Sequence, residues 1–201
     1  MVQQKSSVVT PERFAQGMTY AEYVASIERN QKRFEENYEG TTVSPDDAAA
    51  LKRLMAKPGG PAKILVIGED WCPDVFRGLP VFARIAEATG MELRIFKRDD
   101  NKDIMAEFLN NGEYESIPVA VFYTKDLDYI AHFTERPQLA HREMRETLAP
   151  MYQRLRKPNM TDEEREQAKQ EYIAFQNGPI WANWRQETIR ECIRLLEERV
   201  G

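Results

Sequence analysis

Ile64-Leu65-Val66-Ile67-Gly68-Glu69-Asp70-Trp71-Cys72-Pro73-Asp74-Val75 is the stretch that decides the fold. Its first four residues are a continuous apolar run that follows the breaker Pro58-Gly59-Gly60. Such a run suits a strand buried on both faces, in a sheet covered by helices. The polar loop 68–72 leads into a helical stretch from about Pro73 to Ala88, which Thr89-Gly90 ends. Proline directly after the cysteine suits the first helical turn, because its missing N–H would have had no partner there. Cys72 therefore stands where a helix begins. The N–H groups and dipole at that point favour thiolate over thiol, which predicts a pKa below the free-cysteine value of about 8.5. A thiolate is the attacking species in disulfide exchange.

Downstream, Leu93-Arg94-Ile95-Phe96 reads as the next strand. Asp99-Asp100-Asn101 caps a helix expected to reach about Asn110. Pro118 to Tyr123 and Tyr129 to Phe133 read as a third and fourth strand, joined by a hairpin turn at Lys125-Asp126-Leu127-Asp128. The first two connections are helical crossovers, which predicts parallel pairing and right-handed βαβ units there. From 137 to 200 the chain reads helical: one helix over 138–155, a second between Thr161 and Gly178-Pro179, a third over 181–199. Their charges of both signs read as solvated faces of packed helices. Upstream, the first ten residues read as a loose tail. Thr19-Tyr20-Ala21-Glu22 forms a capping box ahead of one amphipathic helix over 20–38, and Ser44-Pro45 starts another.

At Trp71-Cys72-Pro73-Asp74-Val75 the chain resembles the thioredoxin-like superfamily, whose motif is Trp-Cys-x-x-Cys after the first core strand. Pro80, eight residues after Cys72, matches the family's kink-forming proline. Ser116-Ile117-Pro118-Val119 matches its strand opened by a cis-proline beside the active cysteine, and Asp99-Asp100-Asn101 its Asp-x-Asn. The resemblance covers roughly residues 45–135. It implies an α/β thioredoxin-like fold, with a central mixed sheet of about four strands and extra helices at both termini. The expected organisation is one domain over 1–201, with a helical extension at 19–40 and a helical segment at 137–200. A bacterial thioredoxin-like subgroup with an N-terminal helical extension and a Trp-Cys-x-Asp motif is similar. Two departures stand out. Val75 replaces the second cysteine, and Val66 replaces the family's buried acid. Both point away from dithiol cycling.

The resemblance makes Cys72 and Asp74 the candidate catalytic residues and Trp71, Pro73, Ile117 and Pro118 the candidate binding residues. Asp74 is either a helix-start charge or a proton acceptor beside the thiol, whose pKa it would raise against the dipole. The leading expectation is a thiol redox protein using Cys72 alone, its partner a protein or small-molecule thiol or disulfide, with glutathione or an analogous small thiol resolving the product. The alternative is a non-catalytic module that holds an extended peptide beside Pro118 by strand addition. Cys192 reads as a buried, inert thiol on the apolar face of the last helix. His132 and His141 read as packing or surface residues, and Trp181 and Trp184 as helix packing. A net charge of -5 attracts neither nucleic acid nor an anionic membrane. No metal-ligand spacing, transmembrane run or signal-peptide stretch is present, so the expected site of action is the cytoplasm.

Overall fold

The structure is a computed structural model that describes residues 7–201. Its elements are α1 (Pro11–Ala15), α2 (Tyr20–Ser26), α3 (Gln31–Glu39), α4 (Pro45–Met55), β1 (Lys63–Gly68), α5 (Pro73–Thr89), β2 (Glu92–Lys97), α6 (Lys102–Met105), β3 (Val119–Tyr123), β4 (Tyr129–Thr134), α7 (Gln138–Leu155), α8 (Asp162–Gln176) and α9 (Pro179–Val200). The four strands form one mixed sheet in the order β2-β1-β3-β4. β1 carries the decisive apolar run, and Ile64, Leu65, Val66 and Ile67 are all fully buried. It is central and covered on both faces, as its unbroken apolar pattern requires.

Three expectations need correction. The crossover β1-α5-β2 is parallel, but β3 runs antiparallel to β1, so the second connection is not a parallel crossover. The short α6 and the loop after it return the chain to the end of the sheet where β2 finished. The expected helix 20–38 is two helices broken at residues 27–30, with Asn30 left-handed (φ 58°). There the Glu28 and Arg29 N–H groups donate to Asp70 Oδ2 (3.3 and 3.0 Å), and Asn30 Nδ2 donates to the Asp70 carbonyl (2.8 Å). These tertiary bonds replace the helical ones that periodicity favours. The helix expected to reach Asn110 stops at Met105, and turns follow, with Asn111 and Gly112 at positive φ.

The caps at Thr19, Ser44 and Thr161 form where the sequence places them, whereas Asn101, at the N-cap of α6, makes no side-chain cap bond. The Thr19 and Thr161 capping boxes are both complete. Ser44 Oγ accepts from the Asp47 N–H at 3.1 Å. Gly90 ends α5 at φ 86°, a left-handed position that costs glycine nothing. Of the expected loose tail, residues 1–6 lie outside the described residues. Val9 is buried, and α1, too short to show a period, follows at once. Met18 then pairs with Ile95 on the outer edge of β2, covering backbone that would otherwise stay open to another chain.

The C-terminal helices complete the core. α9 brings Trp181, Trp184, Ile189, Cys192 and Leu196 into it, all essentially buried. Among the described residues, no helix is long and apolar enough to cross a membrane.

Candidate functional site

Cys72 is the N-cap of α5, with Pro73 at the first helical position. The Val75 and Phe76 N–H groups donate to the Cys72 carbonyl at 3.0 and 3.1 Å, closing the first turn. Across the sheet end lies Ile117-Pro118, whose peptide bond is cis. The Cys72 Sγ lies 3.8 Å from the Ile117 carbonyl oxygen, to which its S–H can donate. The close approach of α5 to this loop uses Gly78: a Cβ there would meet Pro118 Cγ at 3.2 Å. The structure thus brings Cys72, Pro73, Asp74, Ile117 and Pro118 together. Trp71 stands beside them, 43 % exposed, with the Arg98 guanidinium 5.1 Å from its ring centroid.

Asp74 does not face solvent as a simple helix-start charge. Its Oδ1 accepts from Arg77 Nη2 at 2.8 Å and its Oδ2 from Arg136 Nη2 at 2.6 Å. Arg77 is 1 % exposed and also donates to the Glu135 carbonyl at 3.3 Å. Its guanidinium lies 5.8 Å from the Trp181 ring centroid and 5.6 Å from that of Trp184, a cation held on two aromatic rings. Arg136 also pairs with Glu135. Four charged side chains from α5 and the segment just after β4 are therefore locked together beside the thiol.

Burial of the sulfur, together with the charge of Asp74, overturns the expected thiol acidity. The N–H groups of Val75 and Asp74 do pull the Cys72 pKa down, as a helix start should. Burial of the sulfur pushes it up more strongly, the Asp74 charge adds to that rise, and Glu135 contributes last. The pKa is raised, not lowered. Iodoacetamide alkylation of Cys72, with Cys192 replaced by serine as a control, should therefore be slow at neutral pH and still climbing above pH 8.5, because only the thiolate reacts. A rate that levels off below pH 8 would contradict this electrostatic balance.

The motif's missing groups are visible as packing. Val75 is fully buried, and its methyls fill the space over Gly68, where a Cβ would come within 2.7 Å of Val75 Cγ1. Val66 is fully buried in β1, so no acid stands behind the thiol at that position. Cys192 is buried among the apolar residues of α9, and that burial pushes its thiol pKa far up. Both cysteines are free thiols. His141 is near enough for Arg136 and Asp74 to act on its pKa, which burial chiefly lowers. Among the described residues, no cluster of three or more His, Cys, Asp or Glu side chains could hold a metal.

Arg77, Arg136 and Tyr23 were not among the expected site residues. Tyr23 is fully buried, its hydroxyl has no partner among the described residues, and it feels the charges of Glu69, Asp70 and Cys72. Arg77 stands three residues after Asp74, a spacing that on a helix already signals an ion pair.

The comparisons with known proteins bear on the fold and the family. No curated protein matches the chain. A crystal structure of a protein of unknown function from Pseudomonas aeruginosa is similar over 94% of this chain and 98% of its own, with a TM-score of 0.66 and 18% identity. An HIV epitope scaffold is similar over 94% and 99%, with a TM-score of 0.64 and 17% identity. Identities this low speak for the fold alone. A family model described as Thioredoxin matches residues 17–156. The chain belongs to the thioredoxin family.

Proposed function

We propose that this protein is a one-thiol member of its family, in which Cys72 captures a partner as a mixed disulfide. One observation carries the reading: the Cys72 sulfur sits at a helix start, 3.8 Å from the Ile117 carbonyl beside Pro118. Ile117 lies just before β3, outside the ladder that begins at Val119, and a backbone free of sheet pairing supports a role in meeting an extended partner. The Cys72 thiolate attacks one sulfur of the partner's disulfide. A Cys72–partner disulfide forms, and the other sulfur leaves as a thiolate and takes up a proton. A small thiol such as glutathione then attacks the mixed disulfide, frees Cys72 and leaves bonded to the partner sulfur.

The raised thiol pKa shapes that sequence. It leaves little thiolate to attack at neutral pH, and it also makes Cys72 a poor leaving group, since thiols of lower pKa leave faster. Capture and release are both slow, which suits holding a partner better than rapid turnover. With oxidised glutathione, the protein should gain the mass of one glutathionyl group at Cys72, faster at alkaline pH. It should not reduce a protein disulfide when supplied with a dithiol reductase alone. No adduct on the folded protein, or an adduct that persists in Cys72→Ser, would defeat the proposal.

A second reading, a module that binds peptide or protein without chemistry, is favoured by the same raised pKa and by Val75. Under it, Cys72→Ser keeps full affinity for a partner captured by the wild-type protein. Under the first, it loses capture.

A further inference from the structure

At the end of the sheet opposite Cys72, an open cleft of about 730 Å³ lies between the segment after α6 and the β3–β4 hairpin. Its size falls within the range of about 300–1,000 Å³ typical of small-molecule sites. Cross-strand pairing puts Tyr123 opposite Tyr129 and Val121 opposite His132, so these residues share one face of the sheet. Phe108 packs on that face. Its ring stacks with Tyr129 at 6.3 Å and meets His132 edge-on at 5.4 Å. The Tyr129 hydroxyl bonds His132 Nδ1 at 2.7 Å, which fixes the ring while leaving Tyr129 51 % exposed. The cleft thus has an ordered aromatic wall that is open to solvent.

Its polar side is acidic. Asp103, Glu107 and Asp128 all line it. Asp103 pairs with Arg13 at 3.4 Å, while Glu107 accepts from Ser7 Oγ and the Val8 N–H. Asp128 accepts from Thr124 Oγ1 at 3.3 Å. Among the described residues, no cation pairs with Glu107 or Asp128. Tyr123 supplies an independent sign of a missing ligand. It is 2 % exposed, and its hydroxyl has no hydrogen-bond partner among the described residues. Tyr123 lines the cleft, and its hydroxyl, whose pKa burial chiefly raises, also feels the charge of Glu107 and Tyr129, both cleft residues. A buried hydroxyl without a partner is costly, so one supplied by a ligand is favourable. Arg199 acts electrostatically on Tyr129 and His132.

We propose that this cleft binds a small organic cation, a protonated amine on an apolar body. The ammonium group lies toward Glu107, Asp128 and the Tyr123 hydroxyl. The apolar body lies on Phe108 and the exposed Tyr129 ring. A carboxylate or phosphate ligand would meet like charge on the acidic side.

The test titrates 2-phenylethylamine, protonated at neutral pH, into isotope-labelled protein and follows backbone amide shifts. 2-Phenylethanol serves as the uncharged counterpart. Saturable shifts should centre on Phe108, Tyr123, Tyr129 and His132. The affinity for the amine should exceed that for the alcohol about tenfold, and the affinity for both should fall about tenfold in Tyr129→Ala, which removes a ring that holds the apolar body. The exposed position of Tyr129 lets the variant keep its fold, and its unperturbed remaining amides verify that. Asp128→Asn should weaken the amine and leave the alcohol unchanged. The proposal is overturned by shifts elsewhere, by equal binding of amine and alcohol, by indifference to Tyr129→Ala, or by no saturable shifts at millimolar amine.

Discussion

Replacing Asp74 with alanine should cost the fold about 3–5 kcal/mol and, in the molecules that remain folded, make Cys72 more acidic. The two effects have one origin. Asp74 is the carboxylate partner of Arg77, a guanidinium with almost no exposure. Without it, a buried positive charge keeps its desolvation penalty and loses its counter-charge. Arg136 is less affected, because it still pairs with Glu135. At the same time the thiol loses the negative charge that contributes most to raising its pKa. The alkylation profile should therefore move to lower pH, while the urea midpoint falls. Adding Arg77→Met should recover most of the lost stability, since an apolar pair of similar volume is often as stable as a buried ion pair. It should leave the thiol shift in place. A stability loss under about 1 kcal/mol for Asp74→Ala, or additive losses in the double variant, would show that the pair is not coupled as the geometry requires.

Asp74 also shows where sequence reading reached its limit. The position was recognisable from Trp71-Cys72-Pro73-Asp74, and its two opposing roles could be named. Which one prevailed depended on Arg136, sixty-two residues away in sequence, and on two tryptophans of α9 that cover Arg77. No local pattern carries such distances. A charged residue on a helix ordinarily implies a solvated face, and Arg77 breaks that rule because an acid and two aromatic rings meet it at once. The break between α2 and α3 has the same character. The spacing of Tyr20, Tyr23, Val24 and Phe34 suits one helix, yet the loop ahead of Cys72 takes the N–H groups of Glu28 and Arg29. By contrast, β1, the caps at Thr19, Ser44 and Thr161, and the Cys72 helix start were legible because each rests on neighbours within a few residues. The direction of β3 was misread because a helix between strands usually signals a parallel crossover, whereas α6 is only 4 residues long.

Restoring the second motif thiol, with Val75→Cys, should give an intramolecular disulfide to Cys72 under mild oxidation. The two positions already bracket one tight turn, closed by the Val75 N–H donating to the Cys72 carbonyl at 3.0 Å. Helical neighbours three residues apart have Cβ atoms about 5–6 Å apart, and a disulfide needs about 3.5–4.5 Å. Cys72 is the N-cap, with extended backbone (φ -86°, ψ 123°), so its side chain is not bound to helical geometry and can close that gap. Removing the Val75 methyls from over Gly68 should cost about 1 kcal/mol in the reduced form, as for a buried methyl deletion. Bridge formation should be slow near neutral pH, because burial and Asp74 still hold the Cys72 thiol up and Val66 offers no buried acid to move protons. The sign can be checked directly: raising the pH through the shifted pKa increases thiolate and should speed closure. Thiol counting after denaturation distinguishes the outcomes. The oxidised variant should show one free thiol, Cys192, and the reduced variant three. A variant that stays folded yet keeps all three thiols under oxidant would mean that the 72–75 turn cannot tighten. Cys72 would then lack the thioredoxin-like geometry on which the mixed-disulfide proposal rests.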